Sequence, residues 1–191
     1  MATPANPSLR DTLAHKIADV LRANGYEGTS MAQISKATGL LKGSLYHHFP
    51  KGKEDMARAA MQVLAQEAER LMIASLVAEG TPRQKLEAWA KGVEEFYLGG
   101  EKNCLLGTMV LSGGADRFQS ELKDAFSAWI TVVSGVLIEA GASEQQAPRR
   151  AQAAIERIQG ALIVARALED FSGFQQLTQD LPNVLLEEID D

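Results

Sequence analysis

Between Lys42 and His48 the chain reads Lys-Gly-Ser-Leu-Tyr-His-His, rich in groups that donate hydrogen bonds and free of acids. Wound as a helix, this run puts Leu45 on one face together with Phe49, four residues on. Gly43 and His47 then fall about 160° and about 200° from Leu45, at about 100° per residue, on the opposite face. Lys42 and Tyr46 flank that face on one side, Ser44 and His48 on the other. Such a surface fits the major groove of DNA. Gly43 lets the backbone come close to base edges, where Lys42, Ser44 and His47 can meet donors and acceptors. Tyr46 and His48 stand where the phosphate walls would pass, and Lys53 opens the next helix with a positive charge. The competing reading is an ordinary solvated helical face. A metal centre on His47 and His48 is disfavoured: neighbouring helical residues point about 100° apart, and no third ligand is near.

Three short helices must hold that run in place. Leu9, Leu13, Ile17, Val20 and Leu21 form one apolar stripe of a first helix, which Gly25 ends. Ser30-Met31-Ala32-Gln33 has the form of a capping box and opens a second helix with Met31, Ile34 and Ala37 inward. Gly39 stops it, and a third helix runs to Phe49 before Pro50. Helix, bend and helix is helix-turn-helix arithmetic. Beyond Lys53 the pattern stays helical. Met56 to Leu76 forms a long amphipathic stretch, and Thr81-Pro82-Arg83-Gln84 is another capping box with proline at the first helical position. Further helices are expected over 105–111, 117–140 and 144–170, the last with Ile155, Ile158, Leu162 and Leu168 inward. A final helix carries Leu177, Leu181, Leu185 and Ile189, and Pro182 should kink or restart it. Strand patterns are absent. The expected fold class is all-α with about nine helices, an N-terminal three-helix helix-turn-helix head on a larger helical body.

Composition agrees with a globular chain: 191 residues, 46% hydrophobic and 23% charged. The net charge of −6 is unevenly spread. Residues 1–53 hold seven Lys or Arg against three acids, a net +4, so the remainder carries −10. A basic head on an acidic body can meet a polyanion with one end only. Residues 1–11 are polar with two prolines, unlike a secretory leader, and the greasiest stretch, 128–138, is too short to span a bilayer. Cys104 is the sole cysteine, which excludes an internal disulfide and fits the reducing cytoplasm, the expected location.

The stretch Gly25-Tyr26-Glu27-Gly28-Thr29-Ser30-Met31-Ala32-Gln33-Ile34 is followed by Ala37-Thr38-Gly39-Leu40 and by Gly43-Ser44-Leu45-Tyr46-His47-His48-Phe49-Pro50. Together they resemble the DNA-binding head of the tetracycline-repressor (TetR) family, densely over residues 9–56. The resemblance implies a transcriptional regulator, usually a repressor, that binds a palindromic operator as a homodimer and responds to a small-molecule effector. It implies a DNA-binding domain over 1–53 and a ligand-binding and dimerisation domain over 54–191. It also implies Lys42, Gly43, Ser44 and His47 as base readers, and Thr29, Tyr46, His48 and Lys53 as phosphate contacts. Two features depart from the usual pattern. Leu41 stands where the family has Ser or Thr capping the recognition helix, a loss of about 1 kcal/mol. Pro50-Lys51-Gly52-Lys53 is one residue longer than the commonest linker and is similar to a P-x-G-K subset that includes regulators of drug-efflux genes.

In that family the long helices form an effector chamber. Trp89, Phe96, Tyr97, Phe118, Phe126 and Trp129, with Met72 and Met109, would line it and suit a flat or apolar molecule. Core packing is the competing reading of the same stripes. Arg166 and Glu139 are either polar partners of the ligand or surface residues. Cys104 reads as a small buried hydrophobe more than a redox sensor, having no resolving partner in the chain. For the dimer, the small residues Ala154, Gly160, Ala161 and Ala165 allow close helix approach, and Leu162, Leu168, Leu181 and Leu185 supply apolar area. Two helices from each protomer would form a four-helix interface. Two other functions compete: a constitutive DNA-binding dimer, and a small-molecule-binding helical carrier or enzyme. Against the second, the chain shows no nucleophile–base pairing, zinc motif or phosphate-binding glycine loop, and no cofactor is expected. Ser112-Gly113-Gly114 reads as an interhelical turn and His15 as structural.

Overall fold

The computed structural model describes residues 8–187; Ile189, expected on the last helix, lies outside them. The described residues form α1 (Leu9–Gly28), α2 (Met31–Thr38), α3 (Lys42–His48), α4 (Lys53–Ala68) and α5 (Ala74–Val77). They continue with α6 (Pro82–Phe96), α7 (Leu105–Leu111), α8 (Ala115–Glu139), α9 (Gln146–Leu168) and α10 (Ser172–Leu186), and contain no strand. A π-helix, Glu69–Ile73, joins α4 to α5, and a 3-10 turn, Leu98–Gly100, follows α6. With α4, the π-helix and α5 counted together as one helix, the described residues hold the nine helices that the periodicity predicts.

Local chemistry sets several of the helix ends. Ser30 accepts the Gln33 N–H, and the Gln33 side chain accepts the Ser30 N–H, closing the box that opens α2. Thr81 and Gln84 do the same for α6, with Pro82 at its start. Gly39 ends α2 at φ 77°, the left-handed conformation that glycine adopts without a Cβ clash. Pro182 does not break α10; it is buried, and the helix continues to Leu186.

The helices gather into two compact units. The first holds the chain up to Gln66 together with Leu105–Phe118. There α1 packs on α2 and α7, and α2 on α3. Leu13, Ile17, Leu21, Ile34, Leu45, Phe49 and Met56 form its core, none more than 3% exposed. Burial of each such side chain contributes about 1.5–3 kcal/mol. The second unit holds Glu67–Cys104 and the chain from Gln119 on. In it α10 packs on α6 and α9, and α6 packs on the π-turn. Leu86, Trp89, Val93, Ile158, Leu181 and Leu185 are buried there. No helix among the described residues is long and apolar enough to cross a membrane.

Three residues expected inward face outward instead: Leu9, Leu168 and Ala37. The buried row of α9 is Ile155, Ile158, Leu162 and Ala165. Its next inward position is therefore 169, and Leu168 falls about 100° short of it. In α2 the inward row is Ile34 and Thr38, which leaves Ala37 to one side. Leu9 is the first residue of α1 and has no preceding helical turn beside it.

Candidate nucleic-acid interface

Leu45 and Phe49 are wholly buried and seat α3 on the head. Opposite them Lys42, Gly43, Ser44, Tyr46 and His47 are exposed, and His48 is half-buried. A Cβ built on Gly43 would meet nothing within 4 Å, so the backbone there is bare. The Lys42 ammonium lies 5.9 Å from the Tyr46 ring centre, and His47 meets His48 edge to face at 5.4 Å. Gly52, at φ 70°, lets the Pro50–Lys53 turn back the Tyr46 ring: a Cβ there would come within 3.3 Å of Tyr46 Cε1. Leu41 is 81% exposed and makes no capping bond to α3, as its side chain predicts.

The C-terminal end of this helix is braced by charge. Arg10 donates from Nη2 to Asp55 Oδ1 at 3.1 Å and from Nε to the His48 carbonyl at 3.4 Å. Its guanidinium lies 5.0 Å from the Phe49 ring centre, so one side chain ties α1 to the ends of α3 and α4. Lys53 Nζ donates to the Tyr26 carbonyl at 2.9 Å and the Thr29 carbonyl at 3.1 Å, and sits 4.4 Å from the Tyr26 ring centre.

Thr29 departs from the phosphate role expected of it. It is 2% exposed, and its hydroxyl donates to the Gly25 carbonyl at 2.6 Å. The helical turn needs that hydroxyl, and what Thr29 offers the site is the carbonyl that holds Lys53.

Behind Tyr26 lies a cluster that sequence reasoning missed. Phe118 meets Tyr26 edge to face at 5.0 Å, and Arg117 lies 5.7 Å from the Tyr26 ring centre. Glu54 accepts from Arg58 and, at 3.1 Å, from Arg117. These bonds, Arg58 first, hold the Glu54 carboxyl below the usual carboxylate range. Burial pushes the Tyr26 phenol up. Glu54 and Arg58 are four apart on α4 and Arg117 adjoins Phe118, but Tyr26, the Glu54–Arg58 pair and the Arg117–Phe118 pair lie far apart in the chain, and no spacing rule links the three.

The remaining expected sites divide. Of the eight effector-lining residues, Met109 and Phe118 belong to the first unit, and Phe118 is engaged by Tyr26. Met72, Trp89, Phe96, Tyr97, Phe126 and Trp129 belong to the second. There Phe96 meets Tyr97 at 4.9 Å, Tyr97 meets Phe174 at 6.1 Å, and Phe126 meets Trp129 at 5.5 Å. Arg166 donates to Asn103 Oδ1 at 2.7 Å, and Glu139 pairs with Lys85 at 2.6 Å, so both are surface residues with protein partners. Cys104 is buried, and His15 Nδ1 lies 2.9 Å from the Asp11 carbonyl one turn back. Among the described residues, no three His, Cys, Asp or Glu side chains are grouped to hold a metal ion.

Five of the eight expected dimer residues, Ala154, Leu162, Ala165, Leu181 and Leu185, are no more than 3% exposed in the single chain. Their apolar area is already covered by the chain's own packing of α9 on α10. Gly160 and Leu168 stay exposed and Ala161 half-buried, beside Ile163 and Val164, which the inward stripe had left unassigned.

Residues 15–60 match the model for bacterial regulatory proteins of the tetR family. Residues 86–180 match that for the LmrA/YxaF-like transcriptional regulator C-terminal domain. The chain is 24% identical over 185 residues to the HTH-type transcriptional regulator LmrA of Bacillus subtilis strain 168, covering 92% of this chain and 96% of that one. Regulatory protein TetR from Rhodobacter sphaeroides shares the fold at a TM-score of 0.77 and 23% identity, over 93% of this chain and 99% of that one. So does a cysteine mutant of the TetR family regulator CifR complexed with 26bp double-strand operator DNA, at 0.75 and 18% identity, over 95% and 98% of the two chains. With its head and its C-terminal half both matched, this chain belongs to the TetR family of bacterial transcriptional regulators.

Proposed function

We propose that the protein is a repressor that binds a palindromic operator as a homodimer and is released by a small apolar or aromatic effector. The observation that carries this reading is the outward face of α3, bare at Gly43 and lined by the donors Lys42, Ser44, Tyr46 and His47. Residues 1–53 supply the DNA contacts, and residues 54–191 supply effector binding and dimerisation. Lys42, Ser44 and His47 read base edges; Tyr46, His48 and Lys53 hold phosphates. Lys53 has three N–H donors, two of them on carbonyls, and the third goes to a phosphate oxygen. The protein catalyses no reaction in this reading and works in the cytoplasm beside the chromosome.

The test is selection of duplexes from a random pool, followed by fluorescence anisotropy on the selected and scrambled sequences across a salt series. Tight, selective binding that falls steeply with log[salt] is expected. Equal weak binding to both duplexes rejects the reading. Lys42→Ala should relax preference at one base per half-site by about 1–3 kcal/mol. A uniform loss on all sequences would make Lys42 a phosphate contact instead.

The partner subunit meets the outer face of α9, where Gly160, Val164 and Leu168 follow at four-residue spacing with Ala161 beside Gly160. Val164→Glu combined with Leu168→Glu should give a folded monomer in sedimentation equilibrium, since both side chains are more than half exposed in the single chain. A dimer that survives the pair places the interface elsewhere. The effector binds the second unit against some of Met72, Trp89, Phe96, Tyr97, Phe126 and Trp129. Both tryptophans of the chain are in that unit, so an aromatic effector should quench intrinsic fluorescence.

A further inference from the structure

Ser112 caps a turn far from it in the chain. Helix α1 breaks at Gly25, whose φ of 70° and ψ of 176° lie in a region open almost only to glycine. Residues 26–28 therefore begin a new turn, and its first amides lose their helical acceptors. Ser112 provides for both. The Tyr26 N–H donates to Ser112 Oγ at 3.0 Å, and the Glu27 N–H donates to the Ser112 carbonyl at 3.4 Å. The approach is close: a Cβ on Gly25 would stand 2.3 Å from Ser112 Cβ and 2.4 Å from its Oγ.

The capped turn holds the DNA-facing residues from behind. Its Tyr26 and Thr29 carbonyls take the Lys53 ammonium. The Thr29 N–H donates to the Tyr26 carbonyl at 3.3 Å, and the Thr29 hydroxyl donates to the Gly25 carbonyl. Ser30 follows at once as the N-cap of α2, on which α3 packs. All of these residues lie in the first compact unit.

We propose that Ser112 is a positioning residue for operator binding: as a remote cap it fixes the Tyr26–Thr29 turn, and through it aims the Lys53 ammonium at a phosphate. Without the Ser112 hydroxyl, the buried Tyr26 amide loses its acceptor and the turn loosens. The two carbonyls then no longer set the direction of the third Lys53 donor. The inference rests on the DNA-binding reading above.

Ser112→Ala and Ser112→Cys in the full-length protein test it, with Lys53→Met and the Ser112→Ala/Lys53→Met double variant completing a cycle. The readouts are amide hydrogen exchange at Tyr26, dimer mass, and anisotropy on a duplex selected from a random pool by the unmodified protein. Ser112→Ala should stay folded and dimeric, exchange the Tyr26 amide at least about tenfold faster, and lose about tenfold in operator affinity with a salt slope lower by about one phosphate. Ser112→Cys, similar in shape and a weaker acceptor, should fall between, and carries the test alone if Ser112→Ala does not fold. Once Lys53 is methionine, Ser112→Ala should cost no further affinity. Additive losses in the cycle, or an unchanged affinity and salt slope in a folded Ser112→Ala dimer, overturn the proposal. Failure of the unmodified protein to enrich any duplex would instead remove the DNA-binding reading itself.

Discussion

Gly92→Ala should lower the melting temperature by roughly 6–12 °C, from a destabilisation of roughly 3 kcal/mol in a chain of this size. Gly92 lies on α6 where that helix crosses the π-turn, and it is buried. A Cβ there would stand 1.8 Å from the Leu71 carbonyl oxygen, 2.7 Å from its carbon and 3.2 Å from Met72 Cα. All three are backbone atoms. A side chain tip can rotate away, whereas backbone can yield only by moving a helix. Gly135→Ala is the matched control. It sits in α8 with nothing within 4 Å of the added carbon, so it should gain about 0.5–1 kcal/mol from helix propensity. Thermal melts followed by circular dichroism compare the two. If Gly92→Ala melts with the unmodified protein, the close crossing of α6 over the π-turn is wrong.

Gly43→Glu should abolish operator binding, by about 100-fold or more, which corresponds to roughly 2.8 kcal/mol, while leaving the fold intact. Gly43 is exposed on α3, and a side chain there meets no atom of the protein within 4 Å. The same open space is what the groove would occupy. A glutamate puts several heavy atoms between the backbone and the base edges, and a negative charge among phosphates. Gly43→Ala separates the two effects: it should bind less tightly, through bulk alone, and melt slightly higher because alanine is the better helix former. Anisotropy on the selected duplex and a melt for each variant check both halves. If Gly43→Glu binds like the unmodified protein, α3 does not present this face to DNA.

The reading face of α3 was legible because it depends on spacing alone. Leu45 and Phe49, four apart, must both turn inward, which sends Gly43 and His47 outward whatever else the chain does. The capping boxes at Ser30 and Thr81 were legible for the same reason: their partners lie three residues away. The all-α class and the ends of α2 and α7 also rest on near neighbours. By contrast, the eight effector-lining residues were grouped by type. Core packing and a chamber use the same aromatic and methionine side chains, so periodicity could not separate Met109 and Phe118 from the other six. The dimer residues were likewise grouped by type. Small and apolar residues on α9 and α10 suit a contact with either a partner or each other, and five of them met within the chain.

By itself, then, the sequence determined the helices, their caps and the face α3 offers, since each follows from residues within about one turn of one another. Only the tertiary structure decided which polar groups remain available there. Thr29 turns its hydroxyl to Gly25, and Lys53 is held by two carbonyls, of Tyr26 in α1 and of Thr29 just after it. Tyr26 and Glu27 find their acceptors on Ser112, and Gly92 has no room for a side chain because the Leu71 backbone passes beside it. Apart from the Thr29–Gly25 bond, four residues apart, each of these is an approach between segments distant in the chain. Its distance is set by how whole helices pack, a quantity that no local pattern of residue types encodes.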